Sequence, residues 1–243
     1  MYPVAAAVVR AVGLRPAFES WIALAAVAIA HLLVLRVVER RPVADVGLGR
    51  AAARPGRLAA GAALGALAIG VPVALLLAAG QLRLESAPAG SWGAAATSLL
   101  GWRLVPAALY EELLVRGYPF LVLRESLGAL PALVVTSVVF GVLHAQNPGA
   151  TVGLVGVVTL AGFFLGGVLL ATRSLWAAWA AHLAWNATIG VGFHAAVSGL
   201  DMPTPNYRVV DAGPDWLTGG AWGPEGGAAA AAGTRSRRTW SGR

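Results

Sequence analysis

Trp102-Arg103-Leu104-Val105-Pro106-Ala107-Ala108-Leu109-Tyr110-Glu111-Glu112-Leu113-Leu114-Val115-Arg116-Gly117-Tyr118-Pro119-Phe120-Leu121-Val122-Leu123 is an apolar stretch with the length to cross a bilayer and with charges at its centre. A charge at mid-bilayer costs roughly 2.5–3.5 kcal/mol on insertion scales. Glu111, Glu112 and Arg116 must therefore return something for that cost, and intramembrane ionisable residues usually mark chemistry or transport.

The membrane assignment itself comes from composition. Hydrophobic residues make up 58% of the 243 and charged residues 12%, where soluble domains carry about 25% charged. Apolar windows near 17–38, 58–80, 102–123, 130–146, 150–172 and 174–197 each approach the ~20 residues that a spanning helix needs. The fold class expected is all-α: a polytopic transmembrane bundle of about six spanning helices. The stretches 2–14 and 91–101 are too short to cross and read as interfacial or re-entrant helices. The organisation expected is N-terminal transmembrane helices with an Arg-rich loop over 1–90, a functional bundle over 91–198, and a Gly/Pro-rich, partly disordered tail over 199–243.

The net charge of +7 rests on arginine alone, since the chain has no lysine. These arginines cluster at the ends of apolar segments, where positive charge sets orientation, so nucleic acid is excluded as a partner and membrane lipids are expected. Arg36, Arg40, Arg41, Arg50, Arg54 and Arg57 place the loop after the first span in the cytoplasm, and alternation puts Arg124 and Arg173 on the same side. It also puts the tail outside, where Arg235, Arg237, Arg238 and Arg243 do not conform. Without cysteine there is no disulfide, no thiol nucleophile and no Cys-ligated zinc. The lysine-free, Ala- and Arg-rich composition suggests a GC-rich bacterium and hence its plasma membrane.

Other polar residues share the oddity of the glutamates. His144 follows Phe140 by four residues, and Asn186 follows His182 by four, so each pair shares a helix face. Counting about 1.5 Å of rise per residue puts Glu111, His144, His182 and Asn186 in one layer, roughly 9–18 Å from the outer side. Single intramembrane histidines such as His31 and His194 read as packing hydrogen-bonders. Glu112 and Arg116 stand i,i+4 with the acid first, the favourable order for a helix ion pair, and read as structural support. Small residues at four-residue spacing, Gly61 with Gly65 and Gly162 with Gly166, allow close helix packing.

The runs Glu111-Glu112-Leu113-Leu114-Val115-Arg116, Phe140-Gly141-Val142-Leu143-His144 and His182-Leu183-Ala184-Trp185-Asn186 resemble the EExxxR, FxxxH and HxxxN motifs of the CAAX protease and bacteriocin-processing (CPBP) family, which includes the Ras-converting CAAX endopeptidases. The resemblance covers roughly residues 90–197. It implies an intramembrane endopeptidase acting on a peptide or protein with a hydrophobic or lipidated segment. The catalytic set is then Glu111, His144, His182 and Asn186, supported by Glu112, Arg116 and Phe140. Chemistry points the same way: a carboxylate in a dry cavity is a better base near neutrality, and His and Asn can donate to an oxyanion. Glu111, His144 and His182 also suit a catalytic zinc, although no HExxH helix is present; the metal-free glutamate mechanism is favoured. Competing classes are a non-catalytic membrane scaffold or bacteriocin-immunity protein, and a proton-coupled transporter using Glu111 and His144. In many members of that family the loop around 215–227 precedes a last hydrophobic helix, whereas here alanines lead into arginines.

Overall fold

The computed structural model describes residues 18–202 and 204–234. The expectations for 2–14 and for the arginines from 235 onward lie outside these residues.

The elements in order are α1 (Glu19–Leu33), α2 (Pro55–Ala78), β1 (Leu82–Ser86), α3 (Trp92–Ser98), α4 (Val105–Arg116), α5 (Tyr118–Leu127), α6 (Ala129–Leu143), α7 (Val152–Thr172), α8 (Leu175–Ala187), β2 (Tyr207–Asp211), α9 (Asp215–Thr218) and α10 (Ala228–Gly233). Among the described residues, Glu19–Val38, Pro55–Ala78, Ala129–Gln146 and Val152–Thr172 are long and apolar enough to cross a membrane. Two shorter helical runs, through α3 and α4 and through α8, complete an all-α polytopic bundle. Its helices begin where the sequence caps them: Thr151 and Ser174 accept from the amides of Leu154 and Ala177.

Exposed and buried residues separate along the long helices, as α2 illustrates. On α2, Leu64, Leu67, Val71 and Leu75 are exposed, while Gly61, Gly65, Ile69, Val73 and Leu76 are buried. The buried stripe meets α8 at very short range, because a Cβ on Gly61 or Gly65 would strike the carbonyl oxygens of Ala177 and Ala181. Glycine there lets backbones meet without a side chain between them. On α7, Gly162 and Gly166 lie in the same way against Ser137 and Leu133 of α6.

The expected span 102–123 is corrected. Helix runs from Trp92 through a wide turn at Leu99–Leu104 to Arg116, then stops, and α5 starts a new axis at Tyr118. The segment read as a separate 91–101 helix is thus the beginning of the Glu111 helix. Pro119 has no N–H for the Val115 carbonyl, and its ring would collide with that carbonyl in a continued helix. A side chain on Gly117 would collide with the His31 ring and the Leu113 oxygen. His31 completes the break: its Nδ1 donates to Val27 O at 2.9 Å, leaving Nε2 to accept from the Tyr118 amide at 3.0 Å.

The last expected span, 174–197, is also shorter, since α8 and the wide turn after it end at Gly192. Beyond lies an antiparallel ribbon that hydropathy did not foretell, with Leu82 opposite Asp211 and Ser86 opposite Tyr207. The tail then returns to the bundle. Pro72 deprives the Ala68 carbonyl of its helix partner, and Gly233 packs against that oxygen. At the opposite end the Arg-rich loop closes the bundle. Arg41 donates to both oxygens of Glu125 and to Asp45, while Leu175 N and Ser174 Oγ bind Gly47 O and Ala52 O. Paired carboxylates push the Arg41 pKa up, and Arg41 holds Glu125 below the usual carboxylate range.

Candidate functional site

Three helices bring the motif residues together. On α6 the buried stripe Ala132, Thr136, Phe140 continues at four-residue spacing to His144, which caps the helix and turns into the bundle. On α8 the face that meets α2 and α4 carries Ala178, Ala181, His182 and Trp185, all buried. On α4 the buried positions include Ala108, Glu111, Glu112, Val115 and Arg116.

Glu111 Oε2 lies 3.9 Å from His144 Nε2 and 3.7 Å from His182 Nε2. These separations are too long for direct hydrogen bonds and short enough that a water seated beside the three atoms, off the lines between them, can contact each of them. The far nitrogen of each ring is engaged. His144 Nδ1 lies 2.8 Å from the Phe140 carbonyl, which only accepts, so Nδ1 carries a proton. His182 Nδ1 lies 2.9 Å from Glu112 Oε1. That same oxygen accepts from Arg116 Nη1 at 2.7 Å, in an ion pair with no side-chain exposure on either partner.

Arg116 completes its setting with a bond to Gly162 O at 3.1 Å and with the Phe140 ring, whose centroid is 4.5 Å from its guanidinium carbon. Phe140 also packs on both imidazoles, at 4.7 Å from His144 and 5.7 Å edge-on to His182. Asn186 lines a small cavity of about 30 Å³ together with His144, His182, Phe164, Ser198 and Glu225. A single water needs ~10–15 Å³ by such a measure. A separate cleft of about 190 Å³ between α4 and α6 is lined by Tyr110, Glu111, His144 and the exposed Leu143.

A metal finds a poorer fit. Neighbouring ligands of a tetrahedral zinc, each 2.0–2.1 Å from the ion, stand about 3.3 Å apart. The separations from Glu111 Oε2 exceed that, and among the described residues no three His, Asp or Glu side chains form a group that could hold an ion.

Glu225, Trp185 and Ser198 are site-lining residues that motif reading passed over. Glu225 stands 39 positions beyond Asn186 in the Gly-rich tail, where no helical period ties it to the other polar residues. Its signal was a lone acid in a Gly/Pro-rich stretch, between Pro224 and Gly226, in a chain poor in charge. His194 stacks on Tyr207 with ring centroids 4.0 Å apart and binds the Tyr207 carbonyl.

Residues 92–188 match a family model described as type II CAAX prenyl endopeptidase Rce1-like. The matched segment holds Glu111, Glu112, Arg116, Phe140, His144, His182 and Asn186, and it ends before Glu225. No curated protein and no solved structure matches the chain.

Proposed function

Because residues 92–188 match the Rce1-like CAAX endopeptidase family model, we propose that the chain is an intramembrane endopeptidase in which Glu111, His144, His182 and Asn186 hydrolyse a peptide bond of a hydrophobic or lipidated substrate. The observation that carries the reading is a carboxylate oxygen 3.7 and 3.9 Å from two imidazole nitrogens whose other nitrogens are already bound. Rings fixed in this way present Nε2 toward one point. A water at that point reaches Glu111 and His144 together.

Glu111 accepts a proton from this water as the oxygen attacks the scissile carbonyl. His144, whose Nδ1 proton is committed to the Phe140 carbonyl, offers Nε2 as an acceptor that orients the water. Charge then develops on the carbonyl oxygen, and preorganised donors stabilise it most effectively. The Glu112 carboxylate behind His182 Nδ1 stabilises an imidazolium, as the buried carboxylate does in a Ser-His-Asp triad, so His182 Nε2–H and the Asn186 carboxamide act as the donors. Glu111 returns the proton to the nitrogen of the leaving amine, the C–N bond breaks, and the acid and amine products separate. Arg116 and Phe140 hold Glu112 and the rings in register.

The cleft between α4 and α6 supplies the approach, since the exposed Leu143 stands at its rim and Glu111 within it. An apolar segment enters there from lipid. A scaffold that merely conserved a polar network would have every group paired and no space beside Glu111. The cavities that share His144, one of them lined by Glu111, favour catalysis over that reading. A glutamate mechanism is preferred to a metal one on the Glu111 separations, and metal analysis of active purified protein decides it.

The test in cells is a comparison of membrane peptides between a parent strain and one carrying Glu111→Ala. Accumulation of uncleaved precursors in the variant supports the proposal; identical peptide sets contradict it.

A further inference from the structure

Glu225 is a carboxylate with 8% exposure, no cation within ion-pairing distance among the described residues, and no part in the reaction above. Burying a charge without a counter-ion is costly unless several donors satisfy it. Three do. Oε2 accepts from Trp185 Nε1 at 2.8 Å, and Oε1 accepts from the backbone amide and the hydroxyl of Ser198. The donors belong to separate segments. Trp185 sits on α8 between His182 and Asn186, and Ser198 belongs to the loop after that helix.

Ser198 passes the connection on. Its carbonyl accepts from Asn147 Nδ2 at 3.0 Å, and the Asn147 amide bonds in turn to the carbonyl of His144 at 3.0 Å. A continuous path, Trp185 to Glu225 to Ser198 to Asn147 to His144, thus joins the two imidazole-bearing elements beside the 30 Å³ cavity, which Trp185, Glu225, Ser198 and His144 all line. The tail reaches this position by close fit. Gly223 approaches the Ala196 carbonyl and Gly226 approaches Leu154 and Trp222, with no space for a side chain at either.

We propose that Glu225 is a positioning residue: from the C-terminal tail it fixes the His144 turn relative to the His182–Asn186 face and helps to close the cavity between them. The proposal rests on the peptidase reading. It goes beyond the matched segment, which ends at residue 188. Misplacing a reacting group by about 1 Å can cost roughly 100-fold in rate, so such a clamp acts on turnover more than on substrate binding.

Glu225→Gln tests it by inverting one bond. The amide keeps an oxygen for Ser198 but turns an N–H donor toward the Trp185 N–H, and two donors repel. The expected result is kcat lower by roughly 100-fold with KM little changed. Combining it with Trp185→Phe removes the opposing donor and is expected to restore at least about tenfold relative to Glu225→Gln alone. A purely structural role would lower the melting temperature without such recovery. Parent-like kcat in Glu225→Gln, or no recovery in the double variant, overturns the proposal.

An arm independent of activity uses the absence of cysteine. Ala161→Cys places one thiol on the cavity wall. A membrane-impermeant maleimide is expected to modify it at least about tenfold faster once Glu225 is replaced by Gln, and an unchanged rate contradicts the clamp. If the parent cleaves no peptide, the peptidase reading fails, and the alkylation arm still judges the clamp.

Discussion

Glu112 Oε1 lies 2.9 Å from His182 Nδ1, and the same oxygen holds Arg116 at 2.7 Å. One buried carboxylate oxygen therefore serves the helix that carries it and a ring on another helix. Adjacent glutamates divide the work: Glu112 turns toward Arg116 and His182 Nδ1, while Glu111 turns toward both Nε2 atoms. Neighbouring side chains on a helix point about 100° apart, so two acids in succession can serve two directions.

Removing one partner of a buried pair strands the other charge and typically costs about 3–5 kcal/mol. Arg116→Ala is thus expected to yield less folded protein and a lower melting temperature in detergent than Asn186→Ala. The swap Glu112→Arg with Arg116→Glu recovers only part of this, because His182 and the Gly162 carbonyl remain placed for the original order. An Arg116→Ala protein as stable as the parent yet inactive would move the arginine into the reaction.

Asn186 is expected to matter for rate rather than for folding, since it lines the cavity without belonging to the Glu112 pair. Asn186→Ala lowers kcat by roughly 100- to 1000-fold, the usual loss for one oxyanion donor. Steady-state kinetics with a fluorogenic peptide in proteoliposomes measures this, and a change confined to KM argues against a donor role.

The three i,i+4 pairs were legible because helical spacing alone puts Glu112 with Arg116, Phe140 with His144, and His182 with Asn186. Counting rise along separate helices then brought Glu111 and the histidines to one level. Window averages do not register one missing N–H, so the stop at Gly117 and Pro119 stayed hidden inside an apolar run. The ribbon of Leu82–Ser86 with Tyr207–Asp211 stayed hidden too, because each strand is short and its partner lies more than a hundred residues away. Glu225 acts through tertiary contacts alone, which no local period announces.

Helix contact at glycine gives a further expectation. A methyl group on Gly65 meets the Ala181 carbonyl, backbone that has little room to yield, one residue before His182. Gly65→Ala should destabilise by about 1–3 kcal/mol, as overpacking commonly does, and should lower turnover by displacing α8. Exposed Leu67→Ala on the same helix serves as the control, with stability and turnover near the parent's.

The Arg41–Glu125 pair predicts an acid limb. The Glu125 pKa is lowered chiefly by its hydrogen bonds from Arg41, so its contribution is present above the unfolded carboxylate value of about 4.3 and is lost as pH falls through the folded value. Glu125→Gln should flatten the fall of melting temperature below about pH 4.3. The pair is exposed, so added salt should shrink the difference between parent and variant.

The central claim is that Glu111 is the base that activates water, and Glu111→Gln tests it most directly because it keeps shape and removes ionisation. Purified parent and variant, matched for melting temperature and elution, are reconstituted in proteoliposomes and given the same hydrophobic peptide, with products read by mass spectrometry. The expected result is cleavage by the parent and none by Glu111→Gln. Near-parental turnover by a folded Glu111→Gln protein would contradict the account.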